Sequence, residues 1–525
     1  MPPNNEKQSE DHRLLGDIKK PLRSISPQKI KVVDSSSDFK KGTDSQCYTT
    51  VLILTVFASA FGSSFQSGYH TGCVNPIGKE ASAWYNVSHQ HMFGVELSKH
   101  ENTIAWSMTV GLLNIGGMFG GFIACHLADH FGRRNALLMN NAFLFIGVIL
   151  MSMSKSVDVY FLLPAGRFVT GVCCGLGSAI VPMYLTEIAP VSKRGALGSA
   201  HQLTFTFSML LSQIFGLPQI FGNANFWQYT FLIALIPAII QLFLLPICPE
   251  SPKFSLLFRK DHEKASRDLR RLRASKDVYE EITVMKYEAD KTAQIKKVTI
   301  PELFANPLYQ RRIIIAVMLM LALQFSGINA VFFYSRAVFE QAGLRGQWPF
   351  YATIGMGFLN FFMTICASQL MDHPKFGRRI LHLGGLCGMF FSTIMIVISM
   401  TLSKTSTSPT LQSIGTISSI IFVLLFVASF ASGPGPIPWF YVSEIFPAHA
   451  KASAASVTVM VCWISGAVVG IAFLPINNIL GHYSFLVFSC SLLWFIFFTY
   501  KFVPETKGKT VAEVEKELGL DNYKN

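Results

Sequence analysis

The chain has 525 residues, half of them hydrophobic, and only 14% are charged. Soluble proteins carry about a quarter charged residues, so this composition excludes an ordinary soluble domain and points to apolar spans in a bilayer. The net charge of +13 fits Lys and Arg collected in the cytoplasmic loops of a multi-span protein, and no nucleic-acid partner is expected.

Residues 1–47 are polar, rich in Ser, Lys and Asp, and lack the apolar core of a signal peptide. They read as a disordered cytoplasmic tail. Apolar runs of about span length follow at 48–69, 103–127, 136–154, 159–183, 196–219 and 227–247. The charged stretch 248–311 has charges at helical spacing in Arg259–Arg273 and Tyr279–Lys297. It is expected to form short amphipathic helices under the membrane domain. Six more runs come at about 312–340, 350–371, 380–402, 414–440, 452–475 and 482–502, before a short polar tail at 503–525. The predicted fold is all-α: twelve transmembrane helices in two six-helix bundles, 48–247 and 312–502, joined by a cytoplasmic helical linker at 248–311.

Lys and Arg orient these spans. With the amino terminus cytoplasmic, the inner side receives Lys19, Lys20, Lys40, Lys41, Arg133, Arg134, Lys193, Arg194, the linker, Arg378, Arg379, Lys451 and Lys507. The outer loops keep Lys79, Lys99, Lys155, Arg345 and Lys404. Both termini are then cytoplasmic, and the sequon Asn86-Val87-Ser88 lies outside, in the loop after the first span, where it can be glycosylated. The ten cysteines show no metal-ligand spacing and lie mostly inside apolar runs, where a reduced thiol is a small hydrophobe. No disulfide framework, metal or cofactor is expected.

The stretch Ile313–Gly343 places Gln324, Ser326 and Asn329 at membrane depth around Gly327. A buried amide in hydrocarbon costs several kcal/mol if unpaired, so these groups face protein or water. Two readings stand side by side for this segment: a solute site at mid-membrane, and polar contacts that glue helices together. Gly433–Pro438 holds three prolines and cannot continue a regular helix. It is expected to be a bend lining a cavity. Gly116-Gly117 and Gly120-Gly121 read as close helix packing.

Three signatures occur twice, in the same order and about 250 residues apart. Asp129-His130-Phe131-Gly132-Arg133-Arg134 returns as Asp372-His373, then Phe376-Gly377-Arg378-Arg379. Tyr184–Pro190 returns as Tyr441–Pro447, and Pro249-Glu250-Ser251 as Pro504-Glu505-Thr506. The chain is therefore an internal duplication, and parallel repeats of this kind are a transporter architecture. All six copies fall at cytoplasmic ends of spans. Asp129, Arg133, Arg134, Glu187, Arg194 and Glu250 of the first repeat, and Asp372, Arg378, Arg379, Glu444 and Glu505 of the second, are expected to form a cytoplasmic gate. In that expectation the arginines and carboxylates pair across the two bundles when the inner side is closed. Each exposed pair contributes roughly 0.2–1 kcal/mol, enough as a network to bias a two-state equilibrium.

With these motifs stand Gly166-Arg167-Phe168, Pro182-Met183-Tyr184, His201-Gln202-Leu203, Gln324–Ala330 and Gly433–Trp439. Over about 48–510 the chain resembles the sugar porters of the major facilitator superfamily, close to the animal facilitative hexose transporters. The resemblance implies uniport of a neutral hexose, D-glucose first, across the plasma membrane by alternating access. The partners are then a small-molecule sugar and the lipid bilayer; nothing in the motifs specifies an oligomer. Carried over position by position, Gln324, Asn329, Asn360 and Trp439 would hydrogen-bond sugar hydroxyls. Gln202 would do so from the other half, with Gln66 nearby, and Phe333, Tyr334, Phe430 and Trp463 would form the aromatic lining.

The sequence departs from the family pattern at several of these places. Leu323 replaces a glutamine beside Gln324, Ala431 a glutamate, Lys451 an arginine, and Cys462 and Gly466 replace asparagines around Trp463. The expected site is less polar than the family's, which leaves the preferred hexose open. His70, within Gly68–Gly72, stands where proton-coupled relatives carry an acid and facilitators an asparagine. A proton-coupled symporter and a sugar sensor on a transporter fold are the rival readings. No nucleophile–base pair, metal motif or nucleotide loop points to an enzyme.

Overall fold

The computed structural model describes residues 48–190, 193–294, 298–373, 376–509 and 511–518. The tail expected over 1–47 lies outside them. Every regular element among the described residues is helical.

Among the described residues, twelve helical spans build the membrane region. The first six are span 1 (Thr50–Gly72), span 2 (Lys99–Phe131), span 3 (Arg133–Met153), span 4 (Leu162–Ile188), span 5 (Arg194–Phe215) and span 6 (Trp227–Ile247). The second six are span 7 (Pro307–Gln341), span 8 (Trp348–Asp372), span 9 (Arg378–Thr405), span 10 (Pro409–Ile445), span 11 (Ala448–Leu480) and span 12 (Ser484–Phe502). Among the described residues, ten helical stretches are long and apolar enough to cross a membrane. The last of these, His449–Phe502, holds both span 11 and span 12, and span 5 stands outside the ten. Span 5 is the polar one: His201, Gln202, Thr204, Thr206, Ser208, Ser212 and Gln213 run along it. Such residues are tolerated at membrane depth where they face protein or a cavity.

Between the repeats the chain forms helices Pro252–Leu257, His262–Arg273, Tyr279–Gln294 and Ile300–Ala305. Arg273 ties this linker to the end of span 4 through the Ile188 carbonyl (2.8 Å). The other end reaches span 11, where the Val298 amide donates to the His449 carbonyl (3.2 Å).

Spans 1, 7 and 10 are interrupted inside the membrane region. Span 1 contains a π turn at Ala60–Ser64. Span 7 is divided into Pro307–Phe325 and Ile328–Gln341 by Gly327, whose φ of +92° only glycine adopts without strain. Span 10 stops at Ser432 and resumes at Ile437, across Gly433–Pro436. The glycine pairs of span 2 do two different jobs. A Cβ on Gly116 or Gly120 would run into the Phe168 or Val172 carbonyl of span 4, while Gly117 and Gly121 make room for Trp463 and Val459 of span 11. Span 2 thus packs on span 4 within its repeat and on span 11 of the other, and span 5 packs on span 8.

The duplicated signatures fold alike at the linker side. Glu250 accepts from the amides of Arg133 and Arg134 at 3.1 Å each, capping the start of span 3. Glu505 accepts from the amides of Arg378 (2.7 Å) and Arg379 (3.1 Å) at the start of span 9. A carboxylate at a helix amino terminus is favoured by unpaired N–H groups and the helix dipole. Burial pushes the Glu250 carboxyl up, and the amides it caps oppose that shift. Arg133 pairs with Glu187 (Nη2 to Oε1, 3.0 Å) and Asp129 (3.2 Å), and Arg378 pairs with Glu444 (3.3 Å). Ser251 and Thr506 each donate to those glutamates at 2.5 Å, and Tyr184 and Tyr441 donate to the Pro249 and Pro504 carbonyls. Arg134 and Arg379 are spent on carbonyls, of Cys248 (3.1 Å) and Tyr500.

In this conformation Arg133 and Arg378 each close on a glutamate of their own repeat; pairing across the two bundles is expected of a closed inner side, the other state of the cycle. The reason is topological, since adjacent span ends of one repeat present both charges within reach. Of the other gate candidates, the side chains of Arg194 and Asp372 lie outside the described ones.

Candidate functional site

A cavity of about 110 Å³ lies among spans 1, 2, 4, 5, 7, 8, 10 and 11, which belong to both repeats. The break in span 7 turns Gln324 and Asn329 toward each other. Asn329 Nδ2 donates to Gln324 Oε1 (2.5 Å), and Gln324 Nε2 donates to Cys462 Sγ of span 11 (3.1 Å). The break in span 10 brings Phe430, Gly435 and Trp439 to the same wall. Gln202 and His201 enter from span 5, with His201 Nδ1 at 2.7 Å from Ser64 Oγ, and Asn360 enters from span 8. Phe333 and Trp463 complete the aromatic surface. Of the residues expected from sequence, the structure therefore brings together Gln202, Gln324, Asn329, Phe333, Asn360, Phe430, Trp439 and Trp463.

Two expected residues lie elsewhere. Gln66 is turned away: its Nε2 donates to the carbonyls of Gly62 (3.1 Å) and Ala234 of span 6 (2.9 Å). Its neighbours Ser67 and Thr71 face the cavity instead. Successive residues on a helix differ by about 100° in direction, so Gln66 and Ser67 cannot share a face. Tyr334 donates to the Gly470 carbonyl (2.9 Å) and lines a second cavity of about 510 Å³ on the side opposite the linker. Sequence reasoning missed Ser67, Thr71, Asn114, Ser178, His201 and Phe205 of the first repeat. Polar residues on spans 1, 2 and 5 were the available signal.

Among the described residues lining the central cavity there is no Asp, Glu, Lys or Arg. Its wall alternates amides and hydroxyls, which both donate and accept, with aromatic faces. That chemistry suits a neutral, hydroxyl-rich solute with an apolar C–H face.

His70 is not part of this wall. It is fully buried, stacked on Phe231 (6.5 Å between ring centroids), with both ring nitrogens lacking a partner. Its carbonyl accepts from Nη1 of Arg167 (2.6 Å), itself fully buried with Nε and Nη2 unpaired.

On the side opposite the linker, the repeats are tied together. Arg336 of span 7 reaches Glu80 at 2.9 Å and the Pro76 carbonyl at 2.6 Å, and Lys79 reaches Glu340 at 2.6 Å. Asn75 bonds Ser335 and the Phe332 carbonyl, and its Oδ1 accepts from the Arg336 amide (3.0 Å). These residues come from helix Val74–Phe93, which continues span 1. The sequon expected in a loop also lies on this helix, a correction to the sequence reading. Asn86 faces the second cavity, and its Oδ1 accepts from Asn102 (3.0 Å).

Residues 55–518 match the family model described as "Sugar (and other) transporter". The chain is 47% identical over 456 residues to "Facilitated glucose transporter protein 1" of Caenorhabditis elegans, covering 87% of this chain and 88% of that protein. It is 40% identical over 466 residues to "Solute carrier family 2, facilitated glucose transporter member 1" of Gallus gallus, covering 89% and 93%. A structure of the E. coli xylose transporter XylE in a partially occluded inward-open conformation is similar at 25% identity and a TM-score of 0.73, over 88% of this chain and all of that one. The proton:xylose symporter XylE bound to 6-bromo-6-deoxy-D-glucose is similar at 26% identity and a TM-score of 0.72, over 90% and 100%. With the duplicated linker-side clamps and an uncharged, amide-lined cavity between the repeats, these matches place the chain in the sugar transporter family of the major facilitator superfamily.

Proposed function

We propose that this protein carries a neutral hexose, D-glucose first, down its gradient across the plasma membrane by alternating access. The observation that carries the reading is the uncharged cavity between the repeats, walled by Gln202, Gln324, Asn329 and Asn360 with Trp439 and Phe430. The relatives named as facilitated glucose transporters support the substrate. The two bundles, 48–247 and 312–502, are the moving units, and the linker-side clamps brace each of them. With Arg336–Glu80 and Lys79–Glu340 holding the opposite side, the cavity is assigned to a state facing the linker. Uptake of labelled hexoses in transporter-deficient cells tests this. Surface-exposed protein that admits no hexose above background overturns it.

Asn329→Ala removes a donor at the centre of the wall and leaves Gln324 without that partner. The expected loss is that of a hydrogen bond in a dry site, about 1–3 kcal/mol, or roughly five- to 150-fold in affinity. Binding of D-glucose to purified variant and wild type measures it; equal affinities remove Asn329 from the site.

Proton coupling is the second reading, because the XylE structures are of a proton symporter. A coupling group must be charged in one step and neutral in another. Here no carboxylate lines the cavity among the described residues, and His70 stacks on Phe231, away from the cavity. Proteoliposomes with an inward proton gradient are therefore expected to equilibrate glucose without concentrating it. Uphill accumulation that a protonophore abolishes would establish symport instead.

The orientation proposed from Lys and Arg puts the linker and both termini in the cytoplasm and Asn86 outside. Asn86 is then glycosylated before its helix docks. Endoglycosidase treatment is expected to lower the apparent mass of wild type and to leave Asn86→Gln unchanged; a wild type without the shift refutes the modification.

A further inference from the structure

Gly466 of span 11 opens a space that other side chains occupy. A Cβ built on it would sit 3.1 Å from Asn114 Oδ1 and 3.3 Å from Asn329 Nδ2. Both amides thus border the space over the glycine, Asn114 from span 2 of the first repeat and Asn329 from span 7 of the second. Asn329 is engaged with Gln324, but Asn114 Nδ2 is buried and has no partner. Asn114 is 4% exposed and lines the central cavity. An unpaired buried amide group carries a desolvation cost that a neighbouring hydroxyl would remove.

We propose that Asn114 binds a hydroxyl of the sugar and helps set which hexose is accepted, its amide standing in the space that a side chain at 466 would fill. This rests on the reading of the cavity as the hexose site. It gives the first repeat a second amide contact beside Gln202. A sugar held between Asn114 and Asn329 bridges spans 2 and 7, and span 2 is packed directly on span 11. Losing one particular hydroxyl therefore costs this protein a contact with the repeat that must move.

The test measures binding of D-glucose and its series of monodeoxy analogues to the purified full-length protein. Asn114→Ala is expected to weaken glucose about tenfold, the effect of one lost hydrogen bond to a buried group. The analogue lacking the hydroxyl that Asn114 holds should lose a similar factor on wild type, yet bind the variant as well as glucose does. Gly466→Asn alone should weaken glucose, because the new side chain meets Asn114. Asn114→Ala/Gly466→Asn should recover affinity, because an amide returns to the same space from span 11. Unchanged glucose binding by Asn114→Ala overturns the proposal, and so does an equal loss for every analogue, which marks a packing effect. Should Asn114→Ala not fold, the double variant decides: with a wild-type melting temperature and no gain over Gly466→Asn alone, the shared-space argument is wrong. If wild type binds no hexose at all, the fault lies in the substrate reading rather than in Asn114.

Discussion

Gly327→Ala is expected to lower hexose uptake more than tenfold at equal surface expression. Gly327 adopts φ +92° at the break of span 7, and a Cβ there would lie 2.5 Å from the Phe488 ring of span 12. A left-handed conformation costs an L-residue roughly 1–2 kcal/mol. The steric overlap adds to that, because an aromatic ring packed beside Phe473 and Phe485 has little room to withdraw. The chain can relieve both only by straightening the break. Gln324 and Asn329 flank it, so straightening pulls apart the 2.5 Å bond that aligns the two amides. Phe488→Ala in the same chain removes the overlap but not the backbone strain, and should restore part of the uptake. Wild-type uptake by Gly327→Ala would show that the break is not needed to shape the site.

Arg336→Ala is expected to open the side opposite the linker. The guanidinium holds Glu80 and the Pro76 carbonyl on the first repeat and lies 4.2 Å from the Phe350 ring centroid on its own. Its side chain is 12% exposed and that of Glu80 is 20%. The tie is therefore stronger than a surface pair but weaker than a fully buried one. An effect of about 1.5–3 kcal/mol follows, roughly ten- to hundredfold in the balance between the two facing states. Cys462, inside the central cavity, is a native reporter. A membrane-impermeant maleimide applied from that side should modify it faster in Arg336→Ala than in wild type. Glu444→Gln, whose partner Arg378 lies in its own repeat, should leave this rate unchanged. Equal labelling of Arg336→Ala and wild type would deny the tie a role in closure.

The sequence by itself determined the twelve spans and the duplication, and the family resemblance supplied part of the central wall, Gln202, Gln324, Asn329 and Trp439 among it. Apolar length, repeated motifs and breakers such as Gly327 and Gly433–Pro438 act locally, so they can be read along the chain. Gln324 and Asn329 are close in sequence and meet across one break, and the fold of that break follows from the glycine between them.

Tertiary structure decided which way each helix faces. Gln66 and Ser67 are neighbours, yet one pairs with span 6 and the other lines the cavity. Phe333 and Tyr334 divide in the same way, Phe333 facing both cavities and Tyr334 only the one opposite the linker. A rotation of about 100° separates adjacent residues on a helix, and apolar periodicity is weak in spans buried on most sides. The partners of Arg133, Arg378 and Arg336 were undetermined for a related reason. A charge at a span end has several candidates within reach, and only the packing of the spans selects among them. Asn114 was hidden for both reasons: its direction depends on how span 2 is seated, and its importance on a glycine 352 positions away, at 466.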